Sequence, residues 1–224
     1  MFGKPIEAVI FDMDGTLIDS EAVYIAGMQD AARTLGLALP IEVCHAMVGV
    51  PSHECNLMLQ AHYGPGFDLA VFRSHFSTSV QRQMKERIPV KPGVVELLDF
   101  LTAQGLPLAV ATSAGRTVAE RNLGRAGLLD RFAALATRDD VEHPKPAPDL
   151  YLEAARRLGV APERCVAFED SSIGIVAAHA AGMRAVMVVD ILPPTDEARA
   201  KSCHVAGDLH EVLCLLRGGA DRTV

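Results

Sequence analysis

Apolar residues recur along this chain in two rhythms, and their alternation sets the expected architecture. Short unbroken runs rich in Val and Ile occupy Ile6–Phe11, Leu106–Ala111, Cys165–Phe168 and Arg184–Val189, with a weaker one at Phe132–Ala136. Such runs predict strands buried on both faces of a sheet. Helical patterns lie between them. Pro92-Gly93 precedes Val94–Ala103, with Gly105 behind it as a C-terminal stop; Pro148-Asp149 opens a stretch to Leu158 halted by Gly159; Ser171-Ser172 opens a small-residue helix that ends near Gly182. Strands alternating with helices imply right-handed βαβ units. The expected fold is therefore α/β, a doubly wound parallel-sheet (Rossmann-like) core.

From about Ile18 to Ile88 the strand rhythm disappears. Helical periodicity remains, at Ser20–Leu35, Ile41–Met47, Ser52–His62 and Asp68–Arg87. The simplest account is an α-helical insertion at 18–88, leaving a core made of 1–17 and 89–224. The segment from Leu216 to Val224 loses periodicity and is expected to fray.

Composition narrows the class. The chain has 224 residues, 50% hydrophobic and 22% charged, which suits a packed globular protein. Its net charge of −7 argues against nucleic acid as a partner. Five scattered cysteines without a C-x-x-C pair suggest neither a disulfide framework nor a zinc site. No segment approaches the length of a membrane span, and no signal-peptide pattern opens the chain, so a cytoplasmic protein without a membrane partner is expected. A monomer is reasonable at this size.

In doubly wound sheets, ligands bind beyond the carboxyl ends of the strands. Asp12-Met13-Asp14-Gly15-Thr16 follows the first strand, Thr112-Ser113 follows Leu106–Ala111, and Glu169-Asp170 closes Cys165–Phe168. Lys145 sits in a proline-bracketed loop, His143-Pro144-Lys145-Pro146. Carboxylates crowded on one edge need a compensating cation, and oxygen ligands without His or Cys select Mg²⁺ over zinc. Phosphoryl transfer requires a nucleophile, an acid for the leaving oxygen and cations on the transferring group. Asp12, Asp14, Lys145 and the metal match those roles, and the Thr112 hydroxyl can donate to a phosphate oxygen. Each member has an ordinary alternative: a turn for Asp-Gly, a helix N-cap for Thr112-Ser113, a surface charge for Lys145, a helix-terminal acid for Glu169-Asp170. Their conjunction at strand ends carries the reading.

Four motifs in order resemble the haloacid dehalogenase superfamily, in its β-phosphoglucomutase-like phosphatase branch: Phe11-Asp12-Met13-Asp14-Gly15-Thr16-Leu17, Ala111-Thr112-Ser113, Lys145-Pro146-Ala147-Pro148-Asp149 and Phe168-Glu169-Asp170-Ser171. The resemblance implies that Asp12 is the nucleophile forming an aspartyl phosphate and that Asp14 is the general acid and base. It implies Mg²⁺ held by Asp12, the main-chain carbonyl of Asp14 and Asp170, with Glu169 through water or directly. Thr112 and Lys145 would hold the phosphoryl group, and the helical insertion would be a cap domain. Asp14 favours phosphate over halide chemistry.

A small phosphorylated metabolite is the implied substrate. Tyr24, Gly49, His53 and Glu54 in the insertion are candidates for selecting it, with Ser113 and Arg116 beside the Thr112 loop. Arg116 reads equally well as an anion clamp or as a solvated helix charge. The main alternative is a sugar-phosphate mutase. The stretch Met47-Val48-Gly49-Val50-Pro51-Ser52-His53-Glu54 lacks the basic pair that such mutases use for a second phosphate, and Tyr24 stands where they carry His. A receiver-type phosphoacceptor domain also gathers acids, a hydroxyl and a Lys around Mg²⁺, but it is about half this length and has no such insertion.

Overall fold

A computed structural model describes residues 5–47, 50, 52–86 and 88–220. The chain divides into two compact units, one formed by Met1–Asp19 with Pro89–Val224 and the other by Ser20–Ile88.

The first unit is built on a parallel sheet of six strands: β1 (Ala8–Phe11), β2 (Leu108–Ala111), β3 (Ala134–Ala136), β4 (Cys165–Glu169), β5 (Arg184–Val188) and β6 (His204–Ala206), in the order β3-β2-β1-β4-β5-β6. This is the doubly wound order, with the switch point between β1 and β4. Phe11 pairs with Val110 on one side and Phe168 on the other, so these three strands end at nearly one level.

Alternation along the strands makes the two sheet faces unequal. Ala8 and Ile10, Ala109 and Ala111, Ala136, Ala167 and Ala185 join one mostly small-residue cluster. Against this face lie α7 (Asp149–Leu158), α8 (Ser172–Ala180) and α9 (Asp196–Lys201). The alternate positions are larger, with Phe11 5.2 Å from Phe168 between ring centroids. On this unit α5 (Val94–Ala103) packs against α10 (Leu209–Ala220), while α6 (Arg116–Ala126) connects β2 to β3.

The predicted strands all form. The structure adds β6, two half-buried residues and the buried Ala206, too short to register as an apolar run. It also corrects the expectation of fraying from Leu216, because α10 continues to Ala220. Val212 and Leu213 of that helix are buried, and their packing sustains a stretch whose own periodicity is weak. Among the described residues no helix is long and apolar enough to cross a membrane.

The second unit is wholly helical: α1 (Ser20–Thr34), α2 (Ile41–His45), α3 (Ser52–Tyr63) and α4 (Leu69–Glu86). Its core gathers Ala31, Ala32, Met47, Leu59 and Phe72. The two chain crossings between units run side by side within the sheet unit. Asp19 N donates to Pro89 O at 2.9 Å, Lys91 N to Leu17 O at 3.1 Å, and Ile18 bridges Val90 antiparallel.

Candidate active site

The loop after β1 turns back at once, with Leu17 N and Ile18 N both donating to Met13 O and Gly15 N to Ile18 O. Gly15 sits at φ +83°, and a Cβ there would lie 2.3 Å from Asp170 Oδ2. Only glycine meets both conditions. The turn brings Thr16 Oγ1 to donate to Asp170 Oδ1 at 3.0 Å, which joins the first and last motifs.

Lys145 is the hub. Its ammonium donates to Asp12 Oδ1 at 2.5 Å, Glu169 Oε1 at 2.6 Å and Ala111 O at 3.1 Å, so all three protons are used. The side chain is 3% exposed and that of Glu169 1%. Glu169 is enclosed further: Ser171 N and Ser171 Oγ donate to Oε2 at 2.7 and 2.8 Å. Ser171 Oγ in turn accepts from Gly174 N as the N-cap of α8. A Cβ on Gly174 would come within 1.7 Å of Glu169 Oε1, so a glycine is required for the helix to close over that carboxylate. Both Glu169 oxygens are therefore occupied. Glu169, expected near the metal through water or directly, is seen here as the buried partner of Lys145.

Burial pushes the Asp12 carboxyl up to about 8 against the pull of Lys145, and Glu169 and Asp14 push the same way. Burial likewise drives Asp170 well above the usual carboxylate range, reinforced by Glu169 and Asp12. For Lys145 burial acts to lower the value, but Asp12 and Glu169 outweigh it and hold the ammonium well above the ordinary lysine range. One buried ammonium thus serves Asp12 and Glu169, and the site is short of positive charge for Asp12 and Asp170 to ionise together. That deficit, in an all-oxygen setting, fits a hard divalent cation such as Mg²⁺, which needs only one or two carboxylates. Among the described residues no group of three His, Cys, Asp or Glu side chains is arranged around one ion.

Thr112 is buried; its hydroxyl accepts from Ala114 N at 3.0 Å and keeps its proton to donate. Ser113 next to it is exposed. Arg116 departs from the anion-clamp expectation. Its Nη2 donates to Asp140 Oδ1 and Oδ2 at 2.9 and 2.7 Å and to Leu135 O at 3.2 Å. The guanidinium staples α6 to the segment after β3. A charge so engaged is not available as a clamp.

The helical unit holds its own cavity of 320 Å³, lined among others by Glu21, Tyr24, Asn56, Phe72, Arg73 and Phe76. Tyr24 thus faces a concave surface. The His53 side chain is 77% exposed beside Glu54 and does not line this cavity, so its assignment to substrate is not supported by position. Gly49 lies outside the described residues. Sequence reading missed Asn56 and Arg73, which share a hydrogen bond of 2.6 Å. They lie on different helices, α3 and α4, and no local spacing links them.

A parallel sheet in this order carries acids, a hydroxyl and one buried lysine at its carboxyl edge, a set suited to phosphoryl chemistry. The profile of the haloacid dehalogenase-like hydrolases matches residues 9–188. The chain is 34% identical over 181 residues to a phosphorylated carbohydrates phosphatase of Thermotoga maritima, covering 81% of this chain and 84% of that one. It is 33% identical to the fructose-1-phosphate phosphatase YqaB of Escherichia coli, over 80% of this chain and 95% of that one. A solved Thermotoga maritima protein assigned as a β-phosphoglucomutase superposes with a TM-score of 0.82 at 32% identity, covering 95% of this chain and 99% of that chain. The chain belongs to the haloacid dehalogenase-like hydrolases and groups with the phosphatases of that superfamily.

Proposed function

We propose that this protein hydrolyses small phosphate monoesters, of the phosphorylated carbohydrate or polyol class, through an aspartyl-phosphate on Asp12. The observation that carries this reading is the Lys145 ammonium buried between Asp12 and Glu169 at the carboxyl ends of β1 and β4. The substrate class follows from the relatives named above, which act on phosphorylated carbohydrates.

Lys145 holds one Asp12 oxygen and leaves the other as nucleophile. That oxygen attacks phosphorus in line with the ester oxygen, the P–O bond to the leaving group breaks, and Asp14 delivers the proton to the departing alkoxide. Asp14, now a carboxylate, takes a proton from water, which attacks the acyl phosphate and returns Asp12 and inorganic phosphate. The Thr112 hydroxyl supplies a donor to the transferring oxygens, and the Lys145 ammonium, its three protons engaged, contributes its positive charge beside them. Mg²⁺ held by Asp12, the Asp14 carbonyl and Asp170 would neutralise charge on the phosphoryl group.

The helical insertion serves as the cap domain and selects the leaving group through its own cavity. The five free thiols suit a reducing cytoplasm. The alternative is a β-phosphoglucomutase-type interconversion, favoured by the likeness to the Thermotoga maritima structure of that assignment.

Phosphate release across a panel of sugar and polyol phosphates, with Mg²⁺ or EDTA, tests the reading in wild type and Asp12→Asn. Mg²⁺-dependent release that vanishes in the variant is the expected result. Conversion of a hexose 1-phosphate to the 6-phosphate without release would install the mutase instead. Stable phosphorylation of Asp12 without turnover would install a phosphoacceptor.

A further inference from the structure

We propose that Tyr151 is a positioning residue whose ring face holds the Lys145 ammonium in the cleft between Asp12 and Glu169; its consequence for turnover rests on the phosphatase reading above. Tyr151 is the third residue of α7, six positions after Lys145, and is 0% exposed. Lys145 Nζ lies 5.0 Å from the centroid of its ring. Such a cation is attracted to the negative face of an aromatic ring, the more so when both are dry.

The Tyr151 hydroxyl also lies near the Lys145 ammonium, but two facts weigh for the ring as the main contact. Tyr151 Oη has no hydrogen-bond partner among the described residues, though it is buried. The three ammonium protons already go to Asp12, Glu169 and Ala111, which leaves none for the phenol.

The sheet makes room for it. Within its cluster Tyr151 is the only aromatic among the described buried members, and the strand positions that share the cluster include Ala109, Ala111, Ala136 and Ala167. Short side chains on that face leave a shallow floor in which a ring fits beneath the strand ends. The lysine approaches from a loop through four rotatable side-chain bonds, with many conformers that would withdraw its charge. The ring closes one wall of the cleft and so removes those conformers. It touches neither substrate nor nucleophile in this role and acts through Lys145.

Tyr151→Phe and Tyr151→Leu separate the ring from the hydroxyl. In Tyr151→Phe, kcat and KM for phosphate release stay within about twofold, and Tm is unchanged or higher, because a buried unpaired hydroxyl is removed. In Tyr151→Leu, kcat falls about tenfold with KM nearly constant, the size expected of a desolvated cation–π contact. Acetylation by an amine-reactive ester, read by mass spectrometry, is the companion measurement. Lys145 stays protected in wild type and Tyr151→Phe and becomes modified in Tyr151→Leu. Wild-type kcat with a protected Lys145 in the Leu variant would overturn the proposal. So would a Phe variant of unchanged Tm that loses about tenfold in kcat, a result that stands even if the Leu variant does not fold. If no substrate is turned over yet the labelling pattern holds, the phosphatase reading fails and the positioning role survives.

Discussion

The ammonium of Lys145 lies 2.5 Å from Asp12 Oδ1 and 2.6 Å from Glu169 Oε1, so a single buried cation joins the end of β1 to the end of β4. Removing it does two things that can be separated. Lys145→Met should lower kcat by about 10² to 10³, as for loss of one preorganised electrostatic group beside the phosphoryl site. It should also lower Tm, because two buried carboxylates lose their partner. Adding Glu169→Gln to that variant should restore part of the Tm and none of the rate. Recovery of phosphate release in the double variant would remove Lys145 from the phosphoryl site.

Asp170 offers a stability change whose sign depends on metal. Its carboxyl is driven up by burial and by Glu169 and Asp12, so without a cation the ionised group strains the fold. Asp170→Asn keeps an oxygen for Thr16 and relieves that repulsion. The variant should melt higher than wild type in EDTA. It should need about tenfold or more Mg²⁺ for half-maximal activity. A lower melting point in EDTA together with unchanged Mg²⁺ demand would sink the ligand assignment.

Gly174→Ala tests the closeness of α8 to Glu169. The added Cβ would sit 1.7 Å from Glu169 Oε1, a clash that must displace either the helix or the carboxylate. A cost of about 1–3 kcal/mol is expected for such overpacking, a fall of roughly 2–12 °C in Tm at this size. Gly124→Ala in α6 is the control, since nothing lies within 4 Å of its Cβ and alanine favours helix. Thermal melts showing equal effects for the two would contradict the packing described.

Asp140 and Glu153 set the acid limit of stability. Burial pushes Asp140 up, but hydrogen bonds from Arg157, Thr137 and Arg116 outweigh it and hold it well below the usual carboxylate range. Hydrogen bonding from Arg156, and then from Arg157, holds Glu153 at about 2. Both values are depressed on folding. Their stabilisation is therefore complete above the unfolded carboxyl range near pH ~4 and is lost as pH falls toward ~2 and below. Asp140→Asn should lower Tm at pH 7 and flatten the drop between pH 5 and pH 3. Melting curves parallel to wild type across that range would refute it. Arg116→Gln should behave alike in stability and leave KM unchanged, in contrast to a substrate clamp.

The sheet was legible because burial on both faces writes itself as unbroken apolar runs, as at Ala8–Phe11 and Cys165–Phe168. Asp12, Thr112 and Asp170 were legible because each directly follows such a run. The edge strand His204–Ala206 was not, since three residues, two of them half-buried, carry no period. His53 and Arg73 show the converse. Position in a motif drew attention to His53, which points to solvent, whereas Arg73 meets Asn56 only through the packing of α3 on α4.

The sequence by itself thus determined the layered α/β plan, the helical insertion and which residues stand at strand ends, because periodicity and turn residues act over a few positions. Tertiary structure decided the partners. It put Glu169 on Lys145, Arg116 on Asp140 and the Tyr151 ring beneath the ammonium, at separations of 24, 24 and 6 positions. Charge pairing in a buried site depends on which loops lie side by side and on how much water they exclude. Neither quantity is local to the chain.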